Sequence, residues 1–318
     1  MYESYYGLTE KPFSVSPDPR FLFPCGIHQA AFEVLEHAWQ RREDGVAITG
    51  DAGTGKTTLC RTMLDRLDRQ TFGALVLDPL LSDNELLELM LQDFGVVSRD
   101  AFARGEMRHV STQALFGTLS DFLLSLRPLG ASAVLIVDEA QNLRPRVLEQ
   151  IRILSNLEVD KKKLLEVVLV GRPTRRARRR GPVPLAPWVS ITHELRPLSR
   201  DEAAAYVRHR VAIASGGASA GEARVVFQPQ ALYAIHRLSD GIPRVINLLC
   251  DRALAAGCTG ASRVIDPLLV RRASESLDLP RSTRSAPPLL TRLRRRVASA
   301  AMASGLSAII GAAGAGLR

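Results

Sequence analysis

The chain has 318 residues, 46% hydrophobic and 24% charged, with a formal net charge of +9. That length and balance allow one large domain or two with a sizeable core, and exclude a wholly disordered, collagen-like or disulfide-stapled chain. The positive charge is local: seven arginines and no acid fall in residues 281–318, and six arginines and no acid between Arg172 and Arg180. Two clusters of this kind do not make a broad nucleic-acid-binding face.

Taken in chain order, the N-terminus has no basic stretch leading an apolar one, so it reads as no secretory signal and places the body in the cytoplasm. Val46–Thr49 predicts a strand and Thr57–Leu67 a helix. Ala74–Leu77 predicts a second strand, followed by helices at Asp83–Phe94 and Thr112–Leu126. Ala133–Val137 is a fully apolar third strand, Arg146–Leu157 a helix and Glu166–Val170 a fourth strand. Short apolar runs alternating with helices predict an α/β fold, a parallel sheet sandwiched by helices. After Pro197 the pattern becomes all-helical: Asp201–Ala214, Gln228–Leu238, Pro243–Ala256 and Asp266–Ser276, with no strand between them. Ser199 or Asp201 suits the N-cap of the first, with Glu202 in its first turn, and Pro229 and Pro267 suit first-turn positions. The four cysteines, Cys25, Cys60, Cys250 and Cys258, form no Cys-x-x-Cys pair and no zinc spacing, so they read as buried thiols in a reducing compartment.

Gly50, Asp51, Ala52, Gly53, Thr54, Gly55, Lys56 and Thr57 fit G-x-x-x-x-G-K-[ST], between a predicted strand and a predicted helix. Glycines let consecutive N–H groups turn toward phosphate oxygens, and the helix N-terminus adds partial positive charge. In this reading Lys56 reaches the β- and γ-phosphates of ATP, the Thr57 hydroxyl is a Mg²⁺ ligand, and Thr58 completes the phosphate-binding set. The strand Val134–Val137 delivers Asp138 and Glu139 at its C-terminal end, where open α/β sheets bind ligands. Asp138 is expected to hold Mg²⁺ through its water shell, and Glu139 to polarise the attacking water. Arg244, after Gly241-Ile242-Pro243, has two readings from spacing alone: a solvated helix-start arginine, or a cation that swings onto the γ-phosphate.

Together these motifs resemble the AAA+ ATPases of the ExeA or general secretion pathway protein A type. The resemblance runs over residues 1–275. It is carried by Tyr6-Gly7-Leu8, Lys11-Pro12-Phe13, Pro17–Phe23 with His28 after it, Gly50–Leu59, Val137–Gln141 and Gly241–Asn247. It implies an oligomeric Mg-ATP machine with Arg244 as a nucleotide sensor and a helical lid. The domains expected are an ATPase core at 1–198, a lid at 199–279, a basic linker at 280–296 and a candidate membrane span at 297–317. The chain departs from the family after Gly171. Arg172 stands where the family has a sensor glutamine, and three prolines within Pro182–Pro187 forbid a regular helix. Trp188 aligns with the arginine that in the family acts on a neighbour's ATP. The Arg172–Arg180 run reads as a solvated loop, a phosphate or nucleic-acid contact, or a slip of the coding frame, since family-like sequence resumes near Ser190.

Val297–Leu317 holds 21 uncharged residues, but eight are Ala and four Gly. ExeA-type proteins place a membrane span here, followed by a periplasmic peptidoglycan-binding domain. The expectation is a weakly apolar single-pass anchor in the inner membrane, held by Arg292–Arg296 on its cytoplasmic side, with the periplasmic domain absent. A disordered Ala/Gly tail is the competing account. The expected function is Mg-ATP hydrolysis that drives or switches an envelope secretion or assembly apparatus, with self-association and envelope partners. The rivals are a DNA-associated ATP switch of the transposition or repair type, favoured only by the Arg172–Arg180 run, and a degenerate ATP-binding subunit.

Overall fold

The computed structural model describes residues 2–41, 43, 45–98, 100, 104, 110–159, 162–173, 186–216 and 224–277. Residues 174–185 of the arginine-proline segment, the linker and the Val297–Leu317 stretch lie outside the described residues. Residues 1–278 group as one compact unit.

The unit opens with a short helix α1 (Glu3–Tyr6) and a longer α2 (Gly26–Arg41). A five-stranded sheet follows: β1 (Val46–Gly50), β2 (Thr71–Val76), β3 (Ser132–Val137), β6 (Leu165–Gly171) and β7 (Ile191–Leu195). Their spatial order is β2-β3-β6-β1-β7, and every pair is parallel. Between them run α3 (Lys56–Asp65), α4 (Asp83–Asp93), α5 (Thr112–Leu126) and α6 (Pro145–Ser155). A small hairpin, β4 (Glu158–Val159) with β5 (Lys162–Lys163), precedes β6.

Alternation along the strands divides the core into two faces. Ile48, Ile136, Val168 and Val170 pack with Leu35 of α2 and Leu59 and Met63 of α3. Ala47, Leu135, Val167 and Leu169 pack with Leu87 of α4, Leu119 of α5 and Ile151 of α6. A sheet buried on both faces needs the near-continuous apolar runs that its central strands carry.

Beyond Leu195 come α7 (Arg200–Ala214), α8 (Pro229–Ser239), α9 (Pro243–Thr259) and α10 (Pro267–Ser276). Ser199 caps α7 in a reciprocal capping box with Glu202, which satisfies two helix-end donors. Pro229 and Pro267 occupy first-turn positions of α8 and α10.

One sequence expectation is corrected, and two elements escape the sequence patterns. The region after Pro197 is not strand-free: β8 (Val226–Phe227) and β9 (Val264–Ile265) form a two-residue parallel pair, too short for any periodicity to show. The sheet has a fifth strand, Ile191-Thr192-His193-Glu194-Leu195, at an edge where the strand is only partly buried and so carries no apolar run. The sequence reading assigns nothing before Val46, yet Ile27, Ala31, Leu35 and Ala38 mark the buried side of α2 at helical spacing. Among the described residues no helix is long and apolar enough to cross a membrane.

Candidate active site

β1 ends at Gly50 and α3 begins at Lys56, so the five residues between them form a loop across the C-terminal edge of the sheet. Gly53 and Gly55 hold φ of +85° and +99°, a region that L side chains rarely adopt. Gly50 is needed for closeness instead: a Cβ there would lie 2.9 Å from both the Leu195 carbonyl and the Thr54 hydroxyl. The Thr54 hydroxyl donates to the Asp51 carbonyl at 2.9 Å and stiffens the turn, while Asp51 and Ala52 stand exposed at its crest.

Lys56 is buried, and its ammonium donates to the carbonyls of Gly50 and Asp51 at 3.0 Å each. Burial lowers its pKa, opposed by the nearby Glu139 and Asp138 carboxylates. An anion bound in the loop would relieve that desolvation. Thr57, one residue on, donates its hydroxyl to Asp138 Oδ2 at 2.5 Å, and Thr58 lines the same cleft. A hydroxyl and a carboxylate placed together at a phosphate-binding loop are the hard oxygen donors that Mg²⁺ takes, so the residues present fit the ion.

Asp138 is 2% exposed, at the end of β3, and its Oδ1 accepts the Glu139 N–H at 2.8 Å. Glu139 takes φ +48°, which turns its side chain off the strand axis and into the cleft. Its Oε2 accepts from Gln141 Nε2 at 2.6 Å and lies 3.7 Å from Arg172 Nε. Gln141 Oε1 in turn accepts the Arg172 N–H at 2.8 Å, just beyond β6.

Arg244 opens α9 directly over the loop. Its N–H donates to the Gly53 carbonyl at 3.1 Å, and a Cβ on Gly53 would come within 2.7 Å of the Arg244 Cβ. The residue is exposed and lines the cleft. The structure therefore brings the loop, Lys56, Thr57, Asp138, Glu139 and Arg244 to one cleft.

The far wall of that cleft holds residues to which the sequence reading gives no role. Ser14–Asp18 and His28 come from the N-terminal segment, and Tyr206, Arg210 and Asn247 from α7 and α9. Pro17, Asp18, His28 and Asn247 fall within motifs quoted for the resemblance alone, and Ser14–Ser16, Tyr206 and Arg210 carry no sequence signal. Buried Arg210 donates to Tyr206 Oη at 2.9 Å and to the Ser14 carbonyl at 3.2 Å, and lies over the Phe21 ring. His28 is buried, which lowers its pKa. Its Nδ1–H donates to the Phe23 carbonyl at 3.0 Å, so the neutral ring turns an accepting Nε2 toward Gly55. Trp188 packs its ring against Gly45, with Nε1 buried and unpartnered.

A glycine-cradled loop, a buried lysine and paired acids at the end of a parallel sheet are the features of a P-loop fold, here with the AAA-type architecture. The AAA domain family matches residues 40–179. The chain is related to general secretion pathway protein A of Aeromonas hydrophila, at 40% identity over 269 residues. That alignment covers 83% of this chain and 46% of the relative, so the chain spans about half the length of the curated relative it matches. Among solved structures, the ORC2 protein of Aeropyrum pernix matches with a TM-score of 0.61 at 16% identity, over 87% of this chain and 73% of that one. RuvB, the Holliday junction branch migration motor of Thermotoga maritima, gives 0.51 at 21%, over 82% and 71%. At these identities the two structures show the fold alone.

Proposed function

We propose that the chain binds and hydrolyses Mg-ATP, and that this reaction drives or switches an envelope secretion or assembly apparatus. One observation carries the ATPase reading: Lys56, the Thr57–Asp138 pair and Glu139 converge on a loop shaped by two positive-φ glycines. The loop N–H groups and the start of α3 take the phosphates. Lys56 exchanges its two carbonyl partners for phosphate oxygens, and the charge it gains nearby replaces the water it lost on burial. The Thr57 hydroxyl, and Asp138 through water, would hold Mg²⁺, which when bound would supply charge neutralisation to the phosphates. Glu139 orients the attacking water and accepts its proton, and Arg244 reports the γ-phosphate to α9.

Relation to general secretion pathway protein A supports the secretion role, and self-association rests on the family resemblance of the sequence motifs. Trp188, packed against Gly45, supplies no cation to a neighbour's site, so basal turnover is slow. The inner-membrane anchor rests on the sequence of Arg292–Leu317 alone. The test is phosphate release and ATP binding by the purified chain and by Lys56→Ala. The parent binds Mg-ATP and releases phosphate, and the variant does neither. A Lys56→Ala protein that binds and turns over ATP like the parent overturns the reading.

A further inference from the structure

We infer that Gln141 is a positioning residue that ties the Glu139 carboxylate to the end of β6. The inference rests on the proposed role of Glu139 in polarising water. Glu139 needs such a tie because its backbone sits in the left-handed region, where neither strand nor helix packing fixes its rotamer. Its N–H is held by Asp138 Oδ1, which anchors the backbone but not the carboxylate.

The Gln141 amide does the rest, and it can do so in one orientation only. A carboxylate accepts and a backbone N–H donates, so the NH₂ end must face Glu139 and the oxygen end must face Arg172. The amide is within hydrogen-bond distance at both ends, 2.6 Å to the charged carboxylate and 2.8 Å to the Arg172 N–H. With Oε2 engaged, Oε1 is the oxygen left for water. The Arg172 guanidinium adds little: its Nε stands 3.7 Å away, on a side chain 57% exposed. What couples β6 to Glu139 is the Arg172 N–H, which any residue but proline supplies. A shift of the β6 end, whose strand neighbours the loop through β1, is thereby transmitted to the carboxylate.

The experiment measures kcat and KM for ATP, nucleotide affinity and melting temperature on the full chain. Gln141→Leu keeps the bulk and removes both bonds. Gln141→Glu keeps the acceptor for Arg172 and sets a second carboxylate against Glu139, and it serves if the leucine variant fails to fold. Arg172→Ala keeps the N–H, and Glu139→Gln reports the parent reading. The expected result is a loss in kcat of roughly 10- to 100-fold in both Gln141 variants, the size typical of groups that orient a reacting residue. KM, affinity and melting temperature stay near parent values, and Arg172→Ala changes kcat less than threefold.

Three results overturn the inference. Gln141 variants that keep parental kcat while Glu139→Gln abolishes turnover leave the ATPase reading intact and remove the tie. Loss of nucleotide affinity or melting temperature in step with kcat makes Gln141 structural. A Glu139→Gln protein with parental turnover removes the role of Glu139 and the inference with it.

Discussion

Gly53 meets two demands at once. Its φ of +85° strains any L side chain, and a Cβ would press within 2.7 Å of the Arg244 Cβ at the start of α9. The backbone strain alone costs about 1–2 kcal/mol. Gly53→Ala should therefore move either the loop or α9 and weaken Mg-ATP affinity by at least about tenfold, as read by calorimetric titration against the parent chain. Residues of this kind were legible in part. Lys56, Thr57, Asp138 and Glu139 follow from local motifs, because a strand, a loop and a helix N-terminus fix their geometry within a few residues. Gln141 was legible as a letter in a motif and not as a partner of Glu139. Its role depends on the Arg172 N–H, 31 residues away, and no local pattern encodes that meeting.

Among elements, β1, β2, β3 and β6 carry apolar runs and were readable, even with β2 at an edge, and β7 was not. An edge strand has one hydrogen-bonded neighbour, here β1, and Thr192, His193 and Glu194 are partly or fully exposed. Burial pattern, the signal that reveals β3, is absent there. Glu166 is the converse case, a carboxylate inside a strand that is otherwise apolar. Burial pushes its pKa from the ordinary 4.5 up to about 7, with Lys163 opposing. The folded protein then holds this proton at pH values where the unfolded chain has released it. Stability from this group is complete below about pH 4.5 and is lost as pH rises through about 7. Glu166→Gln removes the titration. Melting temperatures at pH 5 and pH 8 should differ less in the variant than in the parent, with the variant the more stable of the two at pH 8.

Across the whole described unit, the N-terminal segment joins parts that are far apart in sequence. Tyr6 is fully buried, and its hydroxyl sits 3.0 Å from the Leu254 carbonyl and 3.1 Å from that of Ser262. Tyr2 donates to Asp251 at 2.5 Å, and Arg210 of α7 reaches back to Ser14. The segment that lines one wall of the cleft is thus fastened to the same helices that present Arg244. Bound nucleotide, touching the loop, the N-terminal wall and α9, would draw on all three. These links span 196 to 256 residues, so they are a property of the tertiary fold. In the proposed reaction this cleft cleaves ATP with Glu139 as the group acting on water. The direct measurement is a single turnover of radiolabelled Mg-ATP bound to excess protein, with the nucleotide recovered and separated over time. The parent should return ADP, whereas Glu139→Gln should bind with parental affinity and return unchanged ATP. Equal ADP formation by the two proteins would contradict that role of Glu139.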